Sequence, residues 1–156
     1  MFGTLSEEVE VKVAANKAWR LYNSLELGKL VAKHFLDKLE VIEGDGGVGT
    51  ILELTYKPEY GLSPCKEKFM KIDNEEMVKE VEVVEGGFFD IGFTLYRVRI
   101  TIKANPNDEN MGESCIVQST VEYEVKEEAA SNASLVTMEA LMIVMKVANE
   151  HLINSG

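Results

Sequence analysis

Cysteine, histidine, proline and positive charge are all scarce in this chain. Its two cysteines, Cys65 and Cys115, belong to no CxxC and no Cys/His cluster, and there are only two histidines. That argues against a disulfide framework and against a zinc site. Lysine and arginine number 16 against 27 acidic residues, a formal net charge of -11. Such a balance repels phosphate backbones and anionic bilayers, so no nucleic-acid partner and no membrane partner is expected. No uninterrupted apolar run reaches the ~20 residues of a membrane span. The opening residues, Met1 to Glu10, are polar and acidic, without the pattern of a secretory signal, so the expected location is cytoplasmic. Repeats, low-complexity tracts and linkers are also missing. With 46% hydrophobic residues, the 156 residues suit a single domain, 1–156, with a sizeable core.

The clearest pattern present is at the end of the sequence. Between Lys126 and Ile153, Leu135, Met138, Leu141, Met142, Met145, Ala148, Asn149 and Leu152 recur at spacings of three and four. This predicts one helix with a wide apolar face, about 26 residues and on the order of 40 Å long. Glu127 and Glu128 suit its start, and Gly156 ends the chain. At the other end, Val9, Val11 and Val13 alternate with Glu8, Glu10 and Lys12, a half-buried strand over Leu5–Val13. Asn16 can cap a short helix through Leu25, and Gly28 divides it from a second, Lys29–Leu36.

Strands are predicted over Leu39–Glu43, Ile51–Tyr56, Lys66–Ile72, Met77–Val84, Phe93–Lys103 and Ser114–Glu124. Asp73-Asn74-Glu75 makes a turn, Gly86-Gly87 a break, and Ala104–Gly112, with Asn105 to Asp108, a polar loop. Four glycines between Gly44 and Gly49 resemble a phosphate-cradling loop only superficially. A phosphate loop precedes a helix and carries Lys with Ser or Thr, whereas a strand follows here, so a tight hairpin is expected. The order β-αα-ββββββ-α is an α+β arrangement. A meander this long curls, which should leave an internal cavity beside the helix. Met138, Met142 and Met145 then face inward, as ordinary core or as cavity wall.

Leu39–Thr50 resembles the glycine-rich loop of the birch-pollen-allergen, or pathogenesis-related class 10, family. Lys66-Glu67-Lys68-Phe69, Val83–Asp90 and Tyr123–Glu128 are similar to segments of its alkaloid-forming norcoclaurine-synthase branch. The likeness covers nearly the whole chain. It implies the helix-grip fold: a curved seven-stranded antiparallel sheet around a long C-terminal helix plus two short helices, with an internal cavity. It also implies a plant alkaloid-pathway protein, a monomer or homodimer, binding a small benzylisoquinoline or morphinan alkaloid without cofactor or metal. The branch condenses an arylethylamine with an aldehyde through an iminium ion, using a tyrosine, a glutamate, a lysine and an aspartate. The glutamate matches Glu67 and the lysine Lys79. Cys65 occupies the tyrosine position, and Val98, two residues after Tyr96, the aspartate position.

Strand alternation places Cys65, Glu67 and Phe69 on one face, Lys79, Val81 and Val83 on another, and Tyr96, Val98 and Ile100 on a third. Their apolar company points these faces inward. Glu67 and Lys79 are then a general base and acid in an apolar pocket, an ion pair bridging two strands, or, with a different register, both in solvent. Valine and cysteine in place of two polar groups favour proton transfer on a preformed alkaloid. The expected reaction moves a β,γ double bond into conjugation with a ketone, of the neopinone-to-codeinone type. Glu67 takes the proton, and Lys79 or Tyr96 steadies the dienolate. The alternatives are Pictet–Spengler condensation and a non-catalytic carrier of hydrophobic ligands. His34, on a short helix, is a packing residue or an acid/base at the cavity mouth. Asp90, after Phe88-Phe89, is a turn residue or meets a cationic amine. Cys65 reads as a pocket-lining thiol, His151 as solvated, and Arg97 and Arg99 as external.

Overall fold

A computed structural model describes residues 1–107 and 112–154. Asp108 of the polar loop and Gly156 lie outside the described residues. The strands are β1 (Phe2–Val11), β2 (Leu36–Glu43), β3 (Ile51–Tyr56), β4 (Cys65–Asp73), β5 (Val78–Gly86), β6 (Phe93–Ala104) and β7 (Cys115–Val125). The helices are α1 (Ala15–Tyr22), α2 (Leu25–Phe35) and α3 (Glu139–Asn154). All seven strands form one antiparallel sheet in the order β1-β7-β6-β5-β4-β3-β2. β2 to β7 are the predicted meander. β1 joins the far edge, beside β7, so α1 and α2 must carry the chain across the sheet from one edge to the other.

Alternation decides the two faces. On β7, Cys115, Val117, Ser119, Val121 and Val125 are buried on the concave side. On the convex side, Arg97 and Arg99 of β6 stand opposite Glu82 and Glu80 of β5. They pair with them at 3.0 and 2.9 Å, and both reach Glu122 of β7. The concave side is not filled by one continuous core. One cluster joins α1, α2 and α3 to β1, β6 and β7 around Trp19, Tyr22, Phe35 and Met145. A second lies on β3, β4 and β5 around Leu52, Leu54, Phe69 and Val83. A third surrounds Phe88, Phe93, Val121 and Val136. Tyr96 borders the second and third, and Val98 the first and third.

The helices differ from the periodicity in instructive ways. α1 begins at Ala15 behind Ala14, without a side-chain cap, and Asn16 lies inside it. α2 begins earlier than Gly28, because Ser24 caps it by accepting from the Glu26 amide at 3.2 Å. Gly28 is accommodated within that helix, where a Cβ would stand 3.3 Å from Leu39 of β2.

The single C-terminal helix is the main correction. Glu127–Leu135 is 3₁₀ and only Glu139–Asn154 is α-helical. Side chains compete with the helix here. Asn132 Nδ2 donates to the Ile91 carbonyl at 2.8 Å, and Ser134 Oγ to the Ser131 carbonyl at 3.0 Å. Val136 then turns inward to the third cluster, while Leu135, expected on the apolar face, is 55% exposed. Within Glu127–Asn154 an 18-residue window reaches a mean hydropathy of 1.3, so by length and composition the stretch passes for a membrane span although no apolar run in it is uninterrupted. In this fold the stretch is broken at Val136, and α3 docks Met145, Ala148 and Leu152 into the core.

Candidate active site

β4 brings Cys65, Glu67 and Phe69 to the concave face. Cys65 and Phe69 are buried and Glu67 is half-buried. Glu67 stands opposite Leu52 of β3 and Val83 of β5. An irregularity between Phe69 and Lys71 shifts the register, so Lys79 of β5 opposes Ile72 rather than a residue nearer Glu67. The Phe69–Val81 pair therefore lies between the two charges along the strands. The charges influence one another electrostatically, yet no contact within ion-pair distance joins them among the described residues.

Lys79 is held by other partners. Its Nζ donates to the Tyr22 carbonyl at 3.0 Å and lies 3.9 Å from the centre of the Phe69 ring. Tyr22 is the last residue of α1, so its carbonyl belongs to the negative end of a helix. The ring face adds a cation–π contact. Burial nevertheless dominates and lowers the Lys79 ammonium to about 8, with the Glu67 carboxylate opposing. Burial likewise lifts Glu67 to about 7, with Lys79 opposing. The result is a base and an acid, both poised near neutrality and unpaired.

The surroundings are aromatic and apolar. Tyr96 is half-buried and stacks on Phe88, centroids 4.3 Å apart and planes 8° apart. Val98 is half-buried between Val81 and Val121 of the flanking strands. Burial, then Glu67, pushes the Cys65 thiol up to about 12, so it stays protonated and is no nucleophile at neutral pH.

One residue here escaped the sequence analysis. Tyr56, half-buried at the end of β3, shares a hydrogen bond of 3.4 Å between its Oη and Cys65 Sγ. The signal was available: Leu52, Leu54 and Tyr56 alternate within Ile51–Tyr56, and the first two are buried.

Other expected residues lie elsewhere. His34 is exposed on α2. Its carbonyl accepts from Tyr60 Oη at 3.3 Å and its ring leans beside Phe35. Asp90 is exposed in the 3₁₀ turn Gly87–Ile91 and accepts from Ser63 Oγ at 2.5 Å. Ser63 Oγ in turn accepts from the Gly87 amide at 3.1 Å. Asp90 thus staples the connection between β3 and β4. Met142, predicted to face inward, is 37% exposed on α3 and lines an outer groove with Val9, Ile143 and Lys146. The buried face of α3 is centred on Met145, Ala148 and Leu152, which leaves Met142 at its rim beside the exposed Lys146. Met138 is half-buried against the third cluster, and Met145 is fully buried core. His151 is half-buried, 3.7 Å from Glu26.

A helix-grip sheet with acid and base groups on its concave face defines a class, and the comparisons agree with it. Residues 1–155 match the Pathogenesis-related protein Bet v 1 family, and the chain belongs to that family. It is 44% identical to norbelladine synthase from Narcissus pseudonarcissus, over 98% of this chain and 93% of that protein. It is 37% identical to S-norcoclaurine synthase 1 from Papaver somniferum, over 96% of this chain but 64% of that longer protein. Among solved structures, a Thalictrum flavum norcoclaurine synthase point mutant in complex with a transition-state analogue superposes with a TM-score of 0.88 at 33% identity, covering 99% and 96% of the two chains. The Thalictrum flavum enzyme in complex with dopamine and hydroxybenzaldehyde gives 0.86 at 32% identity, covering 100% and 89%.

Proposed function

We propose that this protein is a cofactor-independent condensing enzyme of alkaloid metabolism, joining an arylethylamine to an aromatic aldehyde. The observation that carries the reading is the unpaired Glu67 and Lys79, near 7 and 8, on an apolar concave face. The relatives named synthases of norbelladine and norcoclaurine support the class.

In the reaction, the amine nitrogen attacks the aldehyde carbon, and the carbonyl π-electrons move to oxygen. Glu67 takes a proton from that nitrogen and passes it to the alkoxide, which becomes a hydroxyl and leaves Glu67 ionised again. Lys79 gives one to the hydroxyl oxygen, and the C–O bond breaks as nitrogen forms the iminium bond, releasing one water. If the arene then closes on the iminium carbon, Glu67 is placed to take the ring proton. Aromatic walls such as Phe69 and Tyr96 suit two aryl reactants, and the dry site favours loss of water. Val98 removes an anion that would otherwise anchor the amine, so amine binding relies on stacking.

A second reading, isomerisation of a β,γ-unsaturated ketone, is favoured by the same acid and base together with the apolar Val98. One assay separates the two. Purified protein is given dopamine with 4-hydroxybenzaldehyde, dopamine with 4-hydroxyphenylacetaldehyde, or neopinone, and products are read by mass spectrometry. Imine or cyclised amine is expected from the first two. Replacing Glu67 with Gln, or Lys79 with Met, should lower kcat by about 100-fold or more, the usual scale of a general base or acid. Codeinone without condensation would transfer the protein to the isomerase reading. Binding without turnover would make it a carrier.

A further inference from the structure

We propose that Tyr56 supplies the hydroxyl of this active site, donating a hydrogen bond to the oxygen of the aldehyde as charge develops on it. This rests on the condensation reading and names a participant that reading does not contain. The position is suited to it. Tyr56 ends β3 on the same face as Leu52 and Leu54, beside the strand that carries Glu67. The register pairs Leu54 with Cys65, so Tyr56 lies one diagonal step from Cys65 and two further residues from Glu67.

The partner it holds is the informative detail. A buried phenol normally keeps a strong acceptor, whereas Tyr56 Oη meets a thiol at 3.4 Å. Sulfur is a weak donor and a weak acceptor. Exchanging it for a carbonyl oxygen that gains negative charge is a net improvement for the hydroxyl. The bond therefore strengthens most in the transition state, which is the condition for lowering a barrier. Burial, and next the Glu67 charge, raise the Tyr56 phenol far above its ordinary value, so it keeps its proton and acts as a donor only. The proton inventory of the condensation is unchanged: Glu67 relays one from nitrogen to oxygen, Lys79 gives a second, and Tyr56 transfers none. Tyr96 is less suited, since stacking on Phe88 fixes its ring.

The test uses Tyr56→Phe and the double variant Tyr56→Phe/Cys65→Tyr, which moves the hydroxyl across one strand. With dopamine and 4-hydroxybenzaldehyde, Tyr56→Phe should lose about 100-fold in kcat with little change in KM, as for an oxyanion donor. The double variant should recover at least a tenth of wild-type turnover. Unchanged turnover in Tyr56→Phe, or a loss that the double variant leaves unrepaired, would overturn the proposal. A wild-type protein inactive on both amine and aldehyde pairs would instead defeat the condensation reading. Calorimetric titration with 4-hydroxybenzaldehyde alone then still decides the role of Tyr56. Affinity weakened about 5- to 10-fold in Tyr56→Phe supports the bond to oxygen, and equal affinity removes it.

Discussion

Glu67 and Lys79 set how this protein should respond to pH. Glu67 must be ionised to act as base, and Lys79 protonated to act as acid. Turnover, measured as kcat/KM from pH 5 to 10, should trace a narrow bell with limbs near 7 and 8. Glu67→Gln should remove the acidic limb along with most of the activity. Stability should move in the opposite sense to function. The folded protein depresses the Lys79 pKa from 10.5 to about 8. Below about 8 the burial cost of the ammonium is present in full, and it fades as pH rises to 10.5. Lys79→Met should therefore raise the melting temperature at pH 7, with the gain vanishing near pH 10.5. A variant that is inactive and yet more stable marks a charge retained for chemistry. The inward direction of Cys65, Glu67 and Phe69 was legible in strand alternation. The placement of Lys79 opposite Ile72 was not, because it arises from a register shift after Phe69, and alternation carries no record of a bulge. Tyr56 was missed for a related reason: its contact with Cys65 depends on the β3–β4 register, which the irregular 57–64 connection sets.

At the scale of elements, the pieces that frame the site are joined by glycines with no room to spare. Gly86 closes β5 with φ +70, and a Cβ there would lie 2.0 Å from the Pro64 carbonyl oxygen, next to Cys65. Gly86→Ala should cost at least about 3 kcal/mol, combining backbone strain with a clash against main chain, as read by urea unfolding. The strands were legible to within a few residues, since hydrophobic alternation and turn residues agree there. The C-terminal segment was legible in kind but not in continuity. Its apolar spacing persists through Leu135 and Met138, while Asn132 and Ser134 give their side chains to backbone carbonyls and end the first helical piece. The start of α2 was misplaced because Gly28 reads as a breaker. In the structure it makes room for Leu39, and Ser24 supplies the cap.

As a whole, the molecule carries a formal charge of -11. Two of its 16 lysines and arginines, Arg97 and Arg99, are committed on the convex face, where they tie β5, β6 and β7 through Glu80, Glu82 and Glu122. The remaining acidic surface repels itself. Raising sodium chloride from 10 to about 150 mM shortens the screening length from about 30 to about 8 Å. The melting temperature at pH 7 should rise as a result, a trend differential scanning fluorimetry would check. Lys79 titration adds nothing at that pH, because its burial cost is constant below about 8.

The sheet is completed by its first and last strands. β1 runs beside β7 from Phe2 opposite Glu124 to Val11 opposite Cys115, while α1 and α2 span the distance to the other edge. On the ribosome, the opening segment has no strand to receive it until the region around Val125 has been synthesised. For most of translation Val9 and Val11 are without their shelter, and β6 presents an unpaired edge until β7 arrives. Closure is consequently a late event over a long separation in sequence, which slows folding and lengthens exposure to aggregation. Slower elongation upstream of Cys115 would prolong that interval, while loss of β1 would leave the edge of β7 open in the finished protein.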